Sequence, residues 1–260
     1  MGFFREVWQH RQLVTTMAAR AIKARYAGSV LGLAWAILEP LLQFALYLLV
    51  FGVFLGLRGL AGGGLSFSLW LLAGLSPFLL LQEGWVRAAG VFRSHAGLVK
   101  HVPVPLSVIL ASELAAVLAR HAVILTLLVA VAGFSGPMRL TTLPILAAAL
   151  AVTLAFLLGG SLLLAVAGTY LPDVAPVTST LMGFALYLTP ILYPEKLVPA
   201  SVRPLLVLNP LAGVAALFRQ GLGHAENLSG AAWALVSAVV ALWLGCRFFA
   251  SRQVAVRDLV

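Results

Sequence analysis

The sequence predicts an all-α membrane protein: six transmembrane helices, an N-terminal interfacial helix, and a re-entrant hairpin on the outer side. Three observations carry that reading. Hydrophobic residues make up 62% of the 260 and charged residues 10%, with a mean hydropathy of +1.05. A soluble domain is about half apolar and one quarter charged. The apolar residues gather into six runs close to the roughly 20 residues that cross hydrocarbon. Most of the 17 Lys and Arg residues stand at the ends of those runs, so the formal charge of +9 reads as membrane topology rather than as a nucleic-acid footprint.

In chain order, residues 3–13 mix Phe3, Phe4, Val7, Trp8 and Leu13 with Arg5, Gln9 and Arg11. Such a segment lies in the interface, with rings at headgroup depth and cations facing water. It has no apolar h-region followed by a small-residue cleavage site, so no cleavable signal peptide is expected. The six runs follow at 33–57, 67–85, 107–132, 143–168, 177–192 and 231–249, the fifth being short enough to extend a turn either way. Pro40, near the start of the first, removes a backbone donor and should kink the helix.

Between the second and third runs, residues 90–105 read GVFRSHAGLVKHVPVP, a polar stretch broken by Pro103 and Pro105. Between the fifth and sixth, residues 193–230 include an apolar stretch at 205–218 that is interrupted by Asn209-Pro210 and too short to span. A re-entrant or interfacial hairpin fits it, because irregular backbone at membrane depth must be shielded by protein or water. The whole chain reads as one transmembrane domain, 1–260. An interfacial helix and loop fill 1–32, the spans 33–249, and a cytosolic tail 250–260.

Orientation follows from the cations. Arg5, Arg11, Arg20, Lys23, Arg25, Arg87, Arg93, Lys100, Arg247, Arg252 and Arg257 fall on one side, eleven in all, against Arg58, Arg139, Lys196, Arg203 and Arg219 on the other. The richer side is cytosolic, which predicts both termini inside. Arg120 lies within a span.

The chain contains no G-x-x-x-x-G-K-[ST], so it does not bind ATP through a P-loop, and no H-E-x-x-H or Cys/His cluster, so neither catalytic residues nor metal ligands are expected. Gly159-Gly160-Ser161 with His224 suggests a serine hydrolase. However, Ser161 falls mid-span and His224 in an outer loop, and small residues at a helix-packing surface explain the triplet better. Cys246, the only cysteine, reads as a packing residue.

Residues 24–40, ARYAGSVLGLAWAILEP, resemble the approach to the first span in ABC-2-type permeases of polysaccharide export systems for O-antigen, capsule and teichoic acid. The matching residues are Arg25-Tyr26, Gly28-Ser29, Leu31-Gly32, Trp35 and Glu39-Pro40, followed by Gly74, Pro77, the Pro103/Pro105 region, Thr189-Pro190-Ile191 with Tyr193, and Leu208-Asn209-Pro210. The resemblance covers nearly the whole chain. It departs at Leu171-Pro172-Asp173, where many relatives carry Arg-Asp, and at Glu113 and Arg120, which match no family feature. The resemblance implies a homodimer in the bacterial inner membrane with two copies of a separate cytosolic ABC ATPase. That partner would bind ATP and Mg, and this chain would hold no cofactor. The pair would move a polyprenyl- or lipid-linked glycan outward, making the outer hairpin a periplasmic re-entrant hairpin. The rival readings are an ABC-2 exporter of a drug or simple lipid and a membrane enzyme acting on polyprenyl lipids.

Candidate residues follow. Arg20, Arg25, Tyr26, Gly28, Leu31 and Gly32 form an entrance where an anionic headgroup would meet guanidinium forks; the cations would set topology in either case. Glu39, Tyr47, Phe51, Glu113, Arg120 and Tyr187 are channel-lining candidates. For Glu39 the competing reading is support of the kink at Pro40, and for Glu113 and Arg120 it is pairing with neighbouring helices. The segment 92–100, with Phe92, Arg93, His95 and Lys100, is expected to couple to the ATPase.

Overall fold

A computed structural model describes residues 2–57, 64–135 and 138–259, and every regular element among them is helical. Arg58 lies outside the described residues. Two helices, α1 (Phe3–Gln9) and α2 (Arg11–Arg25), precede the first span. The expected single interfacial segment is thus bent at His10 and docked on the protein. Phe3 is buried edge-on against Phe249, the Ser107 hydroxyl donates to Glu6 at 2.6 Å, and Val14 and Ala18 are buried, while Phe4 and Trp8 stay exposed.

After α2 the chain turns through Gly28 (φ 81°) and Gly32 (φ 52°), left-handed conformations that a Cβ would strain. Helix α3 (Trp35–Tyr47) follows, with Pro40 inside it, and continues as a π-helix over Leu48–Phe54. Helices α4 (Gly64–Ser94), α6 (Leu106–Phe134), α7 (Leu143–Tyr170) and α11 (Ala231–Leu259) are longer than their apolar runs. The tail at 250–260 is therefore largely the last turns of α11. Helix α4 is central and largely buried, whereas the first span is mostly exposed. Helices α7 and α11 cross at Gly159 and Gly245, where a Cβ on either would meet the other helix's backbone. Ser161, next to this crossing, is fully buried and its hydroxyl has no hydrogen-bond partner among the described residues, which favours packing over a hydrolase dyad.

Among the described residues, five helices are long and apolar enough to cross a membrane. The expected fifth span corresponds to α8 (Val174–Leu188), whose 15 residues make about 22 Å of helix. The connection between α8 and α11 holds a short helix, α9 (Arg203–Val207), and then α10 (Pro210–Gly221), started by Pro210 and capped by the Asn209 side chain, which accepts from Leu211 N–H at 3.0 Å. Helix α10 buries Val214, Leu217 and Phe218 and packs among α4, α7 and α11. The exposed apolar residues elsewhere, such as Leu42 and Leu46 on α3 and Leu181, Phe184, Tyr187 and Leu188 on α8, suit lipid or a partner rather than water.

The segment expected to couple to the ATPase is divided between two helices. Its first part is the end of α4, with Phe92 buried against Phe249. Arg93 donates to the carbonyls of Gly168 and Thr169, both at 2.8 Å, at the end of α7. The polar letters around Phe92 concealed that α4 runs on through it. Only the short helix α5 (Ala96–His101), with exposed Lys100 and His101, stands clear of these contacts.

Candidate functional site

Glu39, Glu83, Arg87, Glu113 and Arg120 of the spans converge with Arg25 on one network. Glu83 of α4 is its hub. Its Oε1 accepts from Arg25 Nη1 at 3.1 Å and from Arg87 Nε, one turn further on, at 2.9 Å. Its Oε2 lies 3.1 Å from His121 Nε2 and pairs with Arg120 of α6. Arg25 Nη2 also donates to both oxygens of Glu39, each at 3.3 Å, and Arg120 lies 4.0 Å from Glu39. Arg87 donates to Glu113 at 3.2 Å, and His95 lies 3.7 Å from the same carboxylate. Three guanidiniums thus balance three carboxylates across α2, α3, α4 and α6. Bare charges among apolar spans would be costly, and pairing removes most of that cost.

The network borders two cavities. One, about 340 Å³, is lined by Arg25, Glu39, Glu83, Arg87, Arg120 and His121 among others. The second, about 210 Å³, shares Arg25, Glu83, Arg87 and Arg120 and adds Tyr26 and Ala36. Tyr26 is buried under the Arg25 guanidinium, which sits 5.7 Å from its ring centre. Arg20, Gly28, Leu31 and Gly32 are exposed or half-buried and are not among the residues lining either cavity. Tyr47 and Phe51 are neighbours, ring centres 6.4 Å apart, further along the first span. Tyr187 lies on the exposed face of α8 and its carbonyl accepts from the Tyr193 hydroxyl at 2.7 Å.

The sequence reading missed Glu83 and the part played by Arg87. The signal was present: Glu83 is a carboxylate inside an apolar run, four residues before an arginine. It also missed a second cluster nearer the start of α4. Arg219 of α10, fully buried, donates to the carbonyls of Trp70 at 3.2 Å, Pro190 at 3.0 Å and Ile191 at 2.8 Å. Its guanidinium lies 3.6 Å from the centre of the Trp70 ring. The indole N–H of Trp70 donates to Glu226 at 2.5 Å. A Cβ at position 74 would lie 2.8 Å from the guanidinium, so a side chain there would force the clamped Arg219 to shift. Asn209 Nδ2 donates to the Thr189 hydroxyl at 2.9 Å. Gly74, Thr189-Pro190-Ile191 and Asn209-Pro210, separate motifs in the sequence, are therefore one structural clamp. Burial lowers the Arg219 pKa to about 10, opposed by the Glu226 carboxylate, so the group stays cationic at neutral pH. Burial and then the Arg219 charge push His224 down, which keeps it neutral there.

No group of three or more His, Cys, Asp or Glu among the described residues is placed to hold a metal ion. A bundle of long apolar helices around a charged network defines a polytopic membrane protein. The chain belongs to the ABC-2 type transporter family, whose description matches residues 12–222. It is 28% identical over 256 residues to the O-antigen export system permease protein RfbA of Myxococcus xanthus, covering 96% of this chain and 95% of that one. It is 26% identical over 245 residues to the polysialic acid transport protein KpsM of Escherichia coli, covering 93% and 94%. With the O-antigen export system permease protein RfbA of Klebsiella pneumoniae it shares 24% identity over 212 residues, 80% and 79% of the two chains.

Proposed function

We propose that this chain is the membrane-spanning permease subunit of an ATP-driven exporter that moves a lipid-linked polysaccharide from cytosol to periplasm. It would act as a homodimer in the bacterial inner membrane, with two copies of a cytosolic ABC ATPase that binds ATP and Mg. The observation that carries the cargo class is similarity over nearly the full chain to relatives named for O-antigen export and polysialic acid transport. The charged cavity supports it, because guanidinium forks suit the phosphate oxygens of a lipid-diphosphate headgroup. The Arg25 region is then the cytosolic entrance, and α5 the segment that meets the ATPase.

Six crossings follow from parity. Both cation-rich ends belong inside, and only an even number of spans puts them there. Helix α8 with residues 189–192 supplies the crossing that α8 alone is too short to complete. The α9–α10 hairpin then dips into the outer leaflet under cover of α4, α7 and α11. In a background lacking Cys246, cysteines at Ser66 and Ala225 should be labelled from the periplasm, and one at Ser94 only after the membrane is breached. Labelling at Ser94 in intact cells would reverse the topology.

The function is tested by deleting the gene while leaving the ATPase and glycosyltransferases in place. Surface glycan should disappear and its lipid-linked form accumulate inside. Surface glycan at the wild-type level would overturn the assignment.

A further inference from the structure

Two carboxylates share the same guanidiniums, and they are held unequally. Glu83 is saturated, its oxygens engaged by Arg25, Arg87, Arg120 and His121, and its side chain is 18% exposed. Glu39 bonds only Arg25, through two contacts of 3.3 Å, with Arg120 4.0 Å away, and its side chain is 49% exposed on the wall of the larger cavity. Glu39 rides on α3, which belongs to the least buried of the five long spans. Phe44 is buried in the core and Tyr47, Leu48 and Phe51 pack against it, while the pairing of Glu39 with Arg25, approached by Arg120, is the ionic tie of that span to its neighbours.

We infer that Glu39 is an exchangeable placeholder for the phosphate oxygens of a diphosphate-type ligand, which takes its position on Arg25 and Arg120 and so releases the first span. The inference rests on the proposed headgroup reading and adds an exchange to it. Addition without exchange would put two anions on the same donors, which repel at this separation. Exchange keeps each guanidinium paired. Glu83 stays on Arg25 Nη1 and keeps the fork aimed, while Nη2 passes from Glu39 to the ligand. The freed Glu39 side chain, already half exposed, turns to water at little cost. Pro40, adjacent to it, lacks the backbone donor that would stiffen α3 at that point.

The test uses the full-length chain in lipid nanodiscs, with farnesyl diphosphate and inorganic pyrophosphate as probes. Glu39→Gln keeps the shape and removes the competing charge. A half-exposed pair of this kind corresponds to at most about fivefold in affinity, so farnesyl diphosphate should bind up to about fivefold tighter. Arg25→Ala should bind it more weakly, and Glu6→Gln, which removes a carboxylate outside the network, should match wild type. In a background lacking Cys246, a cysteine at Ala36 should label faster in Glu39→Gln than in the Glu39 parent, and farnesyl diphosphate should speed labelling only in the parent. Tightening for farnesyl diphosphate alone supports exchange with a lipid headgroup; tightening for both probes supports it with a free diphosphate as occupant. If Arg25→Ala weakens binding while Glu39→Gln leaves it unchanged, the exchange is overturned and the headgroup reading stands. If Arg25→Ala binds as wild type, the headgroup reading falls and the exchange with it. Equal tightening in Glu6→Gln would make the effect one of bulk charge and overturn the exchange.

Discussion

Arg25 and Arg219 are both arginines tied to several acceptors, yet they sit in opposite surroundings. Arg219 is almost wholly buried, bonded to three backbone carbonyls and pressed against Trp70. Arg25 is one third exposed, bonded only to side-chain carboxylates, and borders both cavities. Backbone carbonyls cannot turn away, so the Arg219 clamp has one arrangement. Carboxylates end flexible side chains on separate helices and can, so the Arg25 network is not fixed in that way. Thirteen residues of α4, about 20 Å, separate Trp70 from Glu83. One helix thus joins a fixed anchor to an adjustable set of charges, as a subunit that must move at one end and hold at the other requires.

The comparison breaks most sharply at the anchor. Arg219→Met should leave three carbonyls without their donor and Glu226 without its cation, a loss of about 3–5 kcal/mol. Thermal unfolding in detergent should show a large fall, and Arg219→Lys should not restore it, because one ammonium cannot reproduce the planar fork. A melting curve unchanged by Arg219→Met would remove the distinction between the two regions.

Smaller effects separate structure from docking at the end of α4. Arg93→Ala removes two bonds to the end of α7 and should lower stability by about 1–2 kcal/mol, discounted for partial exposure. Lys100→Ala should leave the melting temperature unchanged and weaken co-purification of the ATPase. The opposite pattern would return Arg93 to the coupling surface.

How far the sequence disclosed these two regions depends on the distance over which each signal acts. Long spans are local, and the apolar runs marked every one of them, although α4 and α11 extend past their apolar letters because polar turns can still be helical. Gly28 and Gly32 stood in the sequence as entrance candidates, and their left-handed conformations are visible only in the folded chain. Glu113 and Arg120 stood out as charges needing partners on other helices, and they have them in Arg87 and in Glu83 and Glu39. That these pairs share a single hub at Glu83 depends on how four helices assemble, which no short window contains. Arg219 looked like one more outer cation for the same reason: its acceptors are 28, 29 and 149 residues away. The burial of Phe92 near the end of α4 was hidden because a ring flanked by Arg93 and His95 has the composition of a surface segment.

The central claim is that the adjustable network receives the anionic end of the cargo. The direct measurement is stimulation of the assembled complex's ATPase by lipid-linked substrate, titrated for wild type, Arg25→Lys and Arg25→Ala. A charge-assisted contact at this site is worth about 1.5–3 kcal/mol before screening by water, an upper range of roughly tenfold to over a hundredfold in affinity. Half-saturation should therefore rise moderately for Arg25→Lys, which keeps the charge and loses the bidentate fork, and most for Arg25→Ala. The same half-saturation in all three would contradict the account and leave Arg25 as a topology signal and a partner for Glu83.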